Sequence, residues 1–264
     1  MLDIKSIEKT FNAGTVNQKK ALNGLSLHLD EGDFVTVIGG NGAGKSTMMN
    51  AIAGVFPVDK GEITINNVNV TKLPEHKRAQ FIGRVFQDPM MGTCANMQIE
   101  ENLSIASRRG QIPGLRWSAR AKDRDFFKER LSMLGLGLEE RLTDRVGLLS
   151  GGQRQALTLL MATLKRPDIL LLDEHTAALD PKTAAKVLEI TDQIVSEYGF
   201  TTIMITHNMR DAITHGNRLV MLDSGRVVVD IKKADHPNLS VQDLLQMFEK
   251  ASGDAMLSDG LLLS

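Results

Sequence analysis

Apolar positions in the first third of the chain fall in short runs and alternations, which is strand spacing. Leu25, Leu27 and Leu29 alternate with polar residues and predict a half-buried strand. Asp30-Glu31-Gly32-Asp33 then turns the chain into a second, mostly apolar run, Phe34–Ile38, of the kind that forms a buried strand. Glycines end it, and residues 46–54 read as a helix stopped by Gly54 and Pro57. Residues 62–70 alternate about Asn66-Asn67 and predict a hairpin, with a further strand at 82–86. From 88 to 148 strand signals fade and charged helical periodicity takes over, most clearly at 116–134. Helices at 151–165 and Pro181–Tyr198 then alternate with strands at 169–172 and 201–206. A hairpin joins 219–222 to 227–230 across Ser224-Gly225, and 242–250 forms a last short helix. Strands alternating with helices predict an α/β fold with a mostly parallel sheet and an antiparallel β edge. The expected organisation is a core of 1–87 and 149–230, an inserted helical subdomain at 88–148, and a C-terminal helix and tail at 231–264.

Composition narrows the classes. The 264 residues are 42% hydrophobic and 24% charged, enough to bury a core. The net charge of -1 argues against a nucleic-acid-coating protein, so no nucleic-acid partner is expected. The single cysteine, Cys94, leaves neither an internal disulfide nor a thiolate zinc site. The longest stretch free of Asp, Glu, Lys and Arg runs over 13 residues, 46–58, too short to span a bilayer. Charges of both signs in the first nine residues give no sign of a signal peptide.

The chemistry sits at the strand ends. Gly39-Gly40-Asn41-Gly42-Ala43-Gly44-Lys45-Ser46 fits G-x-x-x-x-G-K-[ST] at every constrained position, between a buried strand and a helix. Such a loop rings a phosphate with backbone N–H groups at the positive end of a helix. Lys45 is placed to reach the β/γ-phosphates, and the Ser46 hydroxyl, with Thr47 beside it, to hold Mg²⁺ and the phosphate chain. A four-residue apolar run, 169–172, ends in Asp173-Glu174: one carboxylate for Mg²⁺, the next a general base toward water at the γ-phosphate. Leu149-Ser150-Gly151-Gly152-Gln153 opens a helix and reads either as a second anion cradle or as a plain Ser N-cap. No N-K-x-D guanine-reading motif is present.

Five motifs in this order resemble the ATP-binding cassette (ABC) family, the nucleotide-binding subunits of ABC transporters. These are the phosphate loop Gly39 to Ser46, Gln87 in Val85-Phe86-Gln87-Asp88-Pro89, the signature Leu149 to Gln153, Asp173-Glu174 with Ala178-Leu179-Asp180, and Ile205-Thr206-His207. The resemblance runs over about 2–230 and implies a phosphate-loop NTPase core with ATP and Mg²⁺ as ligands. It implies Gln87 as an Mg²⁺ and γ-phosphate sensor, His207 as a γ-phosphate contact, and Phe11 as the adenine-stacking aromatic, next to an expected loop at 12–20. It implies that Ser150, Gly151, Gly152 and Gln153 bind the ATP of a second copy, and that Asp180 organises the facing site. His175 stands where the family most often has Pro, as in a subgroup paired with branched-chain-amino-acid-type permeases.

The implied function is the ATPase of a bacterial importer of a small solute such as an amino acid. It would lie peripherally on the cytoplasmic face of the membrane, with a permease and an extracytoplasmic substrate-binding protein. An exporter ATPase and a soluble non-transport ABC ATPase remain the alternatives. Two features bear on the membrane. Residues 108–130 carry five net positive charges, suited either to anionic headgroups or to a solvated helix face. Pro89, Met90, Met91, Cys94 and Met97 follow Gln87, and methionines suit an adaptable docking groove; the expected permease contact is 87–103.

Overall fold

The structure, a computed structural model, describes residues 1–111 and 121–252. In chain order it begins with β1 (Leu2–Phe11), β2 (Lys19–Leu29), β3 (Phe34–Ile38), α1 (Lys45–Ala53), β4 (Lys60–Ile65), β5 (Val68–Asn69) and α2 (Glu75–Arg78). There follow β6 (Ile82–Val85), α3 (Ile99–Ser107), α4 (Ala121–Ser132), α5 (Gly151–Thr163), β7 (Ile169–Asp173) and α6 (Pro181–Tyr198). The last elements are β8 (Thr201–Ile205), α7 (Met209–Thr214), β9 (Arg218–Asp223), β10 (Arg226–Lys232) and α8 (Val241–Ser252). The chain divides into two units: Met1–Arg78 joined by the residues from Gly199 onward, and Ala79–Tyr198.

The first unit holds an antiparallel sheet, β2-β1-β4-β5, and the strands β10-β9-β3-β8. In the latter, β3 runs parallel to both β8 and β9, while β10 returns antiparallel to β9. β3 is buried along its whole length, as its apolar run requires. Asn66 and Asn67 both have positive φ, 48° and 63°, and turn β4 into β5. β1 escapes a reading by alternation. Leu2 and Ile4 are buried, then Ser6 takes φ 46° in a bulge and the next buried residue is Ile7, so the period of two breaks. The expected loop at 12–20 shortens to 12–18, because Lys19 and Lys20 pair with Phe11 and Thr10. Helix α8 is amphipathic and packs Leu244 and Phe248 into a core with Ile38, Met209, Ala212, Leu219 and Met221.

Arg78 is the largest fully buried side chain of this unit, 2% exposed. Its guanidinium donates to the carbonyls of Ala51 and Ile52, in the last turn of α1, at 2.7 and 2.8 Å. It also donates to Leu73 and Thr71 at 2.9 Å each. A cation among the orphan carbonyls of a helix C-terminus is favourable on both hydrogen-bond and dipole grounds. Arg78→Met should therefore strand those carbonyls and cost about 3 kcal/mol or more. A urea melt checks this, and a midpoint unchanged from wild type contradicts it.

In the second unit β6 and β7 pair in parallel, with Arg84 opposite Leu171. α5 buries Ala156, Leu157, Leu159 and Leu160, and α6 buries Val187, Leu188, Ile190 and Ile194. α3 opens on a Gln98–Glu101 capping box. The helix expected at 116–134 is described from Ala121 to Ser132, and 112–120 lie outside the described residues. Three cations of the basic stretch are used within the unit. Arg109 donates to the Ala162 and Lys165 carbonyls, Arg124 clasps Glu100 through two bonds of 2.6 and 2.8 Å, and Arg130 donates to the Tyr198 hydroxyl.

Candidate functional site

The predicted residues fall in both units. In the first, β3 delivers the chain to Gly39, whose φ is 151° and where a Cβ would stand 2.3 Å from the Leu222 carbonyl oxygen. Only glycine fits there, so the loop can lie against the end of β9. Gly40 to Gly44 then circle back: Ala43 N–H donates to Gly40 O, and Met48 N–H to Gly44 O at the start of α1. Lys45 is buried, and its ammonium donates to Gly39 O at 2.6 Å and Gly40 O at 3.3 Å. The loop thus holds its cation at its own centre, as a polyanion site needs. Asn41, Gly42 and Ser46 are exposed, Thr47 half-buried.

Phe11 closes β1 and is half-buried rather than part of the core. Its ring meets Phe56 edge-on, centroids 5.2 Å apart at 84°, and Lys9 lies over both rings at 5.7 and 5.4 Å. Lys9 is pinned in turn by Pro57 O and Asp59. The Thr10 N–H, then Lys9, holds the Asp59 carboxyl below its ordinary range. His207 follows β8 and is half-buried. Burial raises the nearby Asp211 carboxyl above its usual value, and the charges of His215 and His207 pull it back.

In the second unit, β7 ends at Asp173, and Glu174 takes φ 45°. A left-handed glutamate is uncommon and breaks the strand's alternation of faces; such strain clusters at functional positions. Arg84 NH2 lies 3.5 Å from Asp173 Oδ2 and stacks on Phe86 at 4.6 Å. No sequence signal announced Arg84, because only the β6–β7 register brings it there. Buried Gln155 donates to Phe86 O at 3.2 Å and so holds the backbone next to exposed Gln87. His175 is 2% exposed; Thr191 gives its hydroxyl proton to Val187 O, so it accepts from His175 Nε2, at 3.1 Å.

Ser150 is the N-cap of α5, in a reciprocal capping box with Gln153, both bonds 3.2 Å. The two readings of this motif are compatible. The Ser150 oxygen accepts from Gln153 N–H, and its own proton remains available to an anion. Gly152 is fixed by close approach, since a Cβ there would meet Thr183 Cγ2 at 2.1 Å. Asp180 accepts from Thr183 at the start of α6, which lowers its pKa.

The family model for ABC transporters matches residues 22–177, more than half of the chain. The chain belongs to the ABC transporter family. A tyrosine transport ATP-binding protein of Clostridioides difficile is 45% identical over 95% of this chain and 100% of its own length. A spermidine/putrescine import ATP-binding protein of Haemophilus influenzae is 31% identical over 87% of this chain, which spans 57% of that relative. A solved dimeric ATP-binding cassette in a post-hydrolysis state with ADP and Pi is 30% identical, with TM-score 0.75, covering 88% of this chain and 98% of that one. As an ABC transporter ATPase, the chain binds nucleotide, hydrolyses ATP and has the phosphate-loop NTPase fold. Among the described residues no helix is long and apolar enough to cross a membrane.

Proposed function

We propose that this ABC ATPase is the energising subunit of a bacterial importer of a small solute, an amino acid being the best-supported class. The 45% identity to a tyrosine transport ATP-binding protein over 95% of this chain supports that class, and the spermidine/putrescine import ATP-binding protein favours import over export. Two copies would sandwich two ATPs, as the dimeric neighbour suggests. Each phosphate loop would face Ser150 to Gln153 of the other copy.

In the proposed mechanism, Lys45 and the loop N–H groups bind and charge-balance the phosphates. Glu174 takes a proton from the attacking water as its oxygen approaches the γ-phosphorus, and ADP leaves. Ser150 O–H and the α5 N-terminus donate to the γ-phosphate across the dimer. His207 and Gln87 hold that geometry. Ser46 in one unit, and Gln87 and Asp173 in the other, would each offer a hard oxygen donor of the kind that suits Mg²⁺ bound mainly by phosphate and water. When bound, Mg²⁺ would neutralise charge on the phosphates.

The membrane partner is a permease docking near Gln87, on the cytoplasmic face, with a substrate-binding protein outside. Met90, Met91 and Cys94 are exposed, Met91 at 69% and Leu148 at 71%, which suits a partner surface better than a core. Arg154 donates to Met90 Sδ at 2.9 Å and steadies it. Met91→Asp should release the chain from membranes of its own cells while leaving ATP affinity within about twofold, since a surface substitution changes little else. Undiminished membrane recovery would move the docking site elsewhere.

A further inference from the structure

The β1–β2 connection brings one more cation to the phosphate loop. The last pair in the β1–β2 register is Phe11 opposite Lys19. Between them, residues 12–18 close on themselves: Thr15 N–H donates to Asn12 O, Gln18 N–H to Thr15 O, and Gly14 N–H to Gln18 Oε1. Lys19 therefore projects from a fixed strand position beside the expected adenine platform. Its ammonium reaches the phosphate loop, where a Cβ on Gly42 would stand 3.2 Å from Lys19 Nζ.

Neighbouring lysines are neutralised or held. Lys20 pairs with Glu8 at 3.2 Å, Lys9 with Asp59 at 3.1 Å, and Lys45 donates to Gly39 O. Lys19 is exposed and, among the described residues, has neither an ion pair nor a hydrogen bond. A positive charge at the edge of a loop that already holds the buried ammonium of Lys45 is repelled by it. A polyanion in the loop reverses the sign of that interaction.

We infer that Lys19 is a second phosphate-binding lysine of the nucleotide site, contacting the phosphate nearest the base. Its register opposite Phe11 and its reach to Gly42 put it between base platform and phosphate cradle. The inference rests on the proposed reading of Gly39 to Ser46 as the nucleotide cradle.

Calorimetric titration of the full chain with ATP, AMP and adenosine, at low and high salt, tests it. Lys19→Gln should weaken both ATP and AMP about tenfold, as loss of one charge-assisted contact does. The loss should shrink at high salt, since Lys19 is exposed. Adenosine affinity should not change, Lys19→Arg should restore ATP binding, and Lys20→Gln should leave it unaltered. Wild-type ATP affinity in Lys19→Gln, with Lys45→Ala impaired, overturns the inference and leaves the cradle standing. Weakened ATP with unchanged AMP overturns the assignment to the base-proximal phosphate. If Lys45→Ala also binds ATP normally, the cradle reading itself fails.

Discussion

Glu174→Gln should bind ATP as wild type does and hydrolyse it at least about 100-fold more slowly, because a positioned general base contributes about 10²–10⁴ in rate. The substitution keeps the size and hydrogen-bonding reach of the side chain and removes only its basicity. Its backbone φ of 45° is as tolerable to glutamine as to glutamate, so the turn after β7 should persist. With binding intact and turnover blocked, the variant should accumulate as an ATP-bound dimer, read by light scattering. Turnover within a few-fold of wild type would remove Glu174 from the base role.

Lys45→Ala acts one step earlier. The buried ammonium is held at 2.6 Å from Gly39 O in the middle of the loop, so its loss removes a charge already positioned for phosphate. Charge-assisted hydrogen bonds contribute about 1.5–3 kcal/mol each, so ATP affinity should fall about 100-fold if two such contacts go. Calorimetry checks this, and a melting midpoint near wild type would show that the loop still folds. ATP binding as tight as wild type would contradict the phosphate-loop assignment.

Much of this chain is legible because its chemistry is local in sequence. The phosphate loop, Asp173-Glu174 and Ser150-Gly151-Gly152-Gln153 each sit at the junction of a strand or turn with a helix. Such junctions are marked by glycine, proline and capping residues within a few positions. Pro181 marks the start of α6, and the helix ends at Tyr198 as its periodicity predicts. What escaped depends on pairing between distant segments. The Ser6 bulge hid β1 by shifting its buried face. Arg78 reads as one more charged residue, yet its site is made by carbonyls of α1 that lie 27 and 26 positions upstream. Arg84 and Lys19 acquire meaning only from strand register, with Leu171 and Phe11 respectively. Short α7 and α2 escaped too, being too brief to show a helical period.

The central claim is that each ATP site is completed by a second copy of the chain. Mixing two inactive variants tests it most directly: Lys45→Ala, defective in the cradle, and Ser150→Arg, defective in the signature. In the heterodimer both lesions fall in one site, and the other keeps an intact cradle facing an intact signature. The account predicts that each variant alone is nearly inactive, and that ATP hydrolysis reappears on mixing and rises with protein concentration. A mixture no more active than its separate components would contradict it.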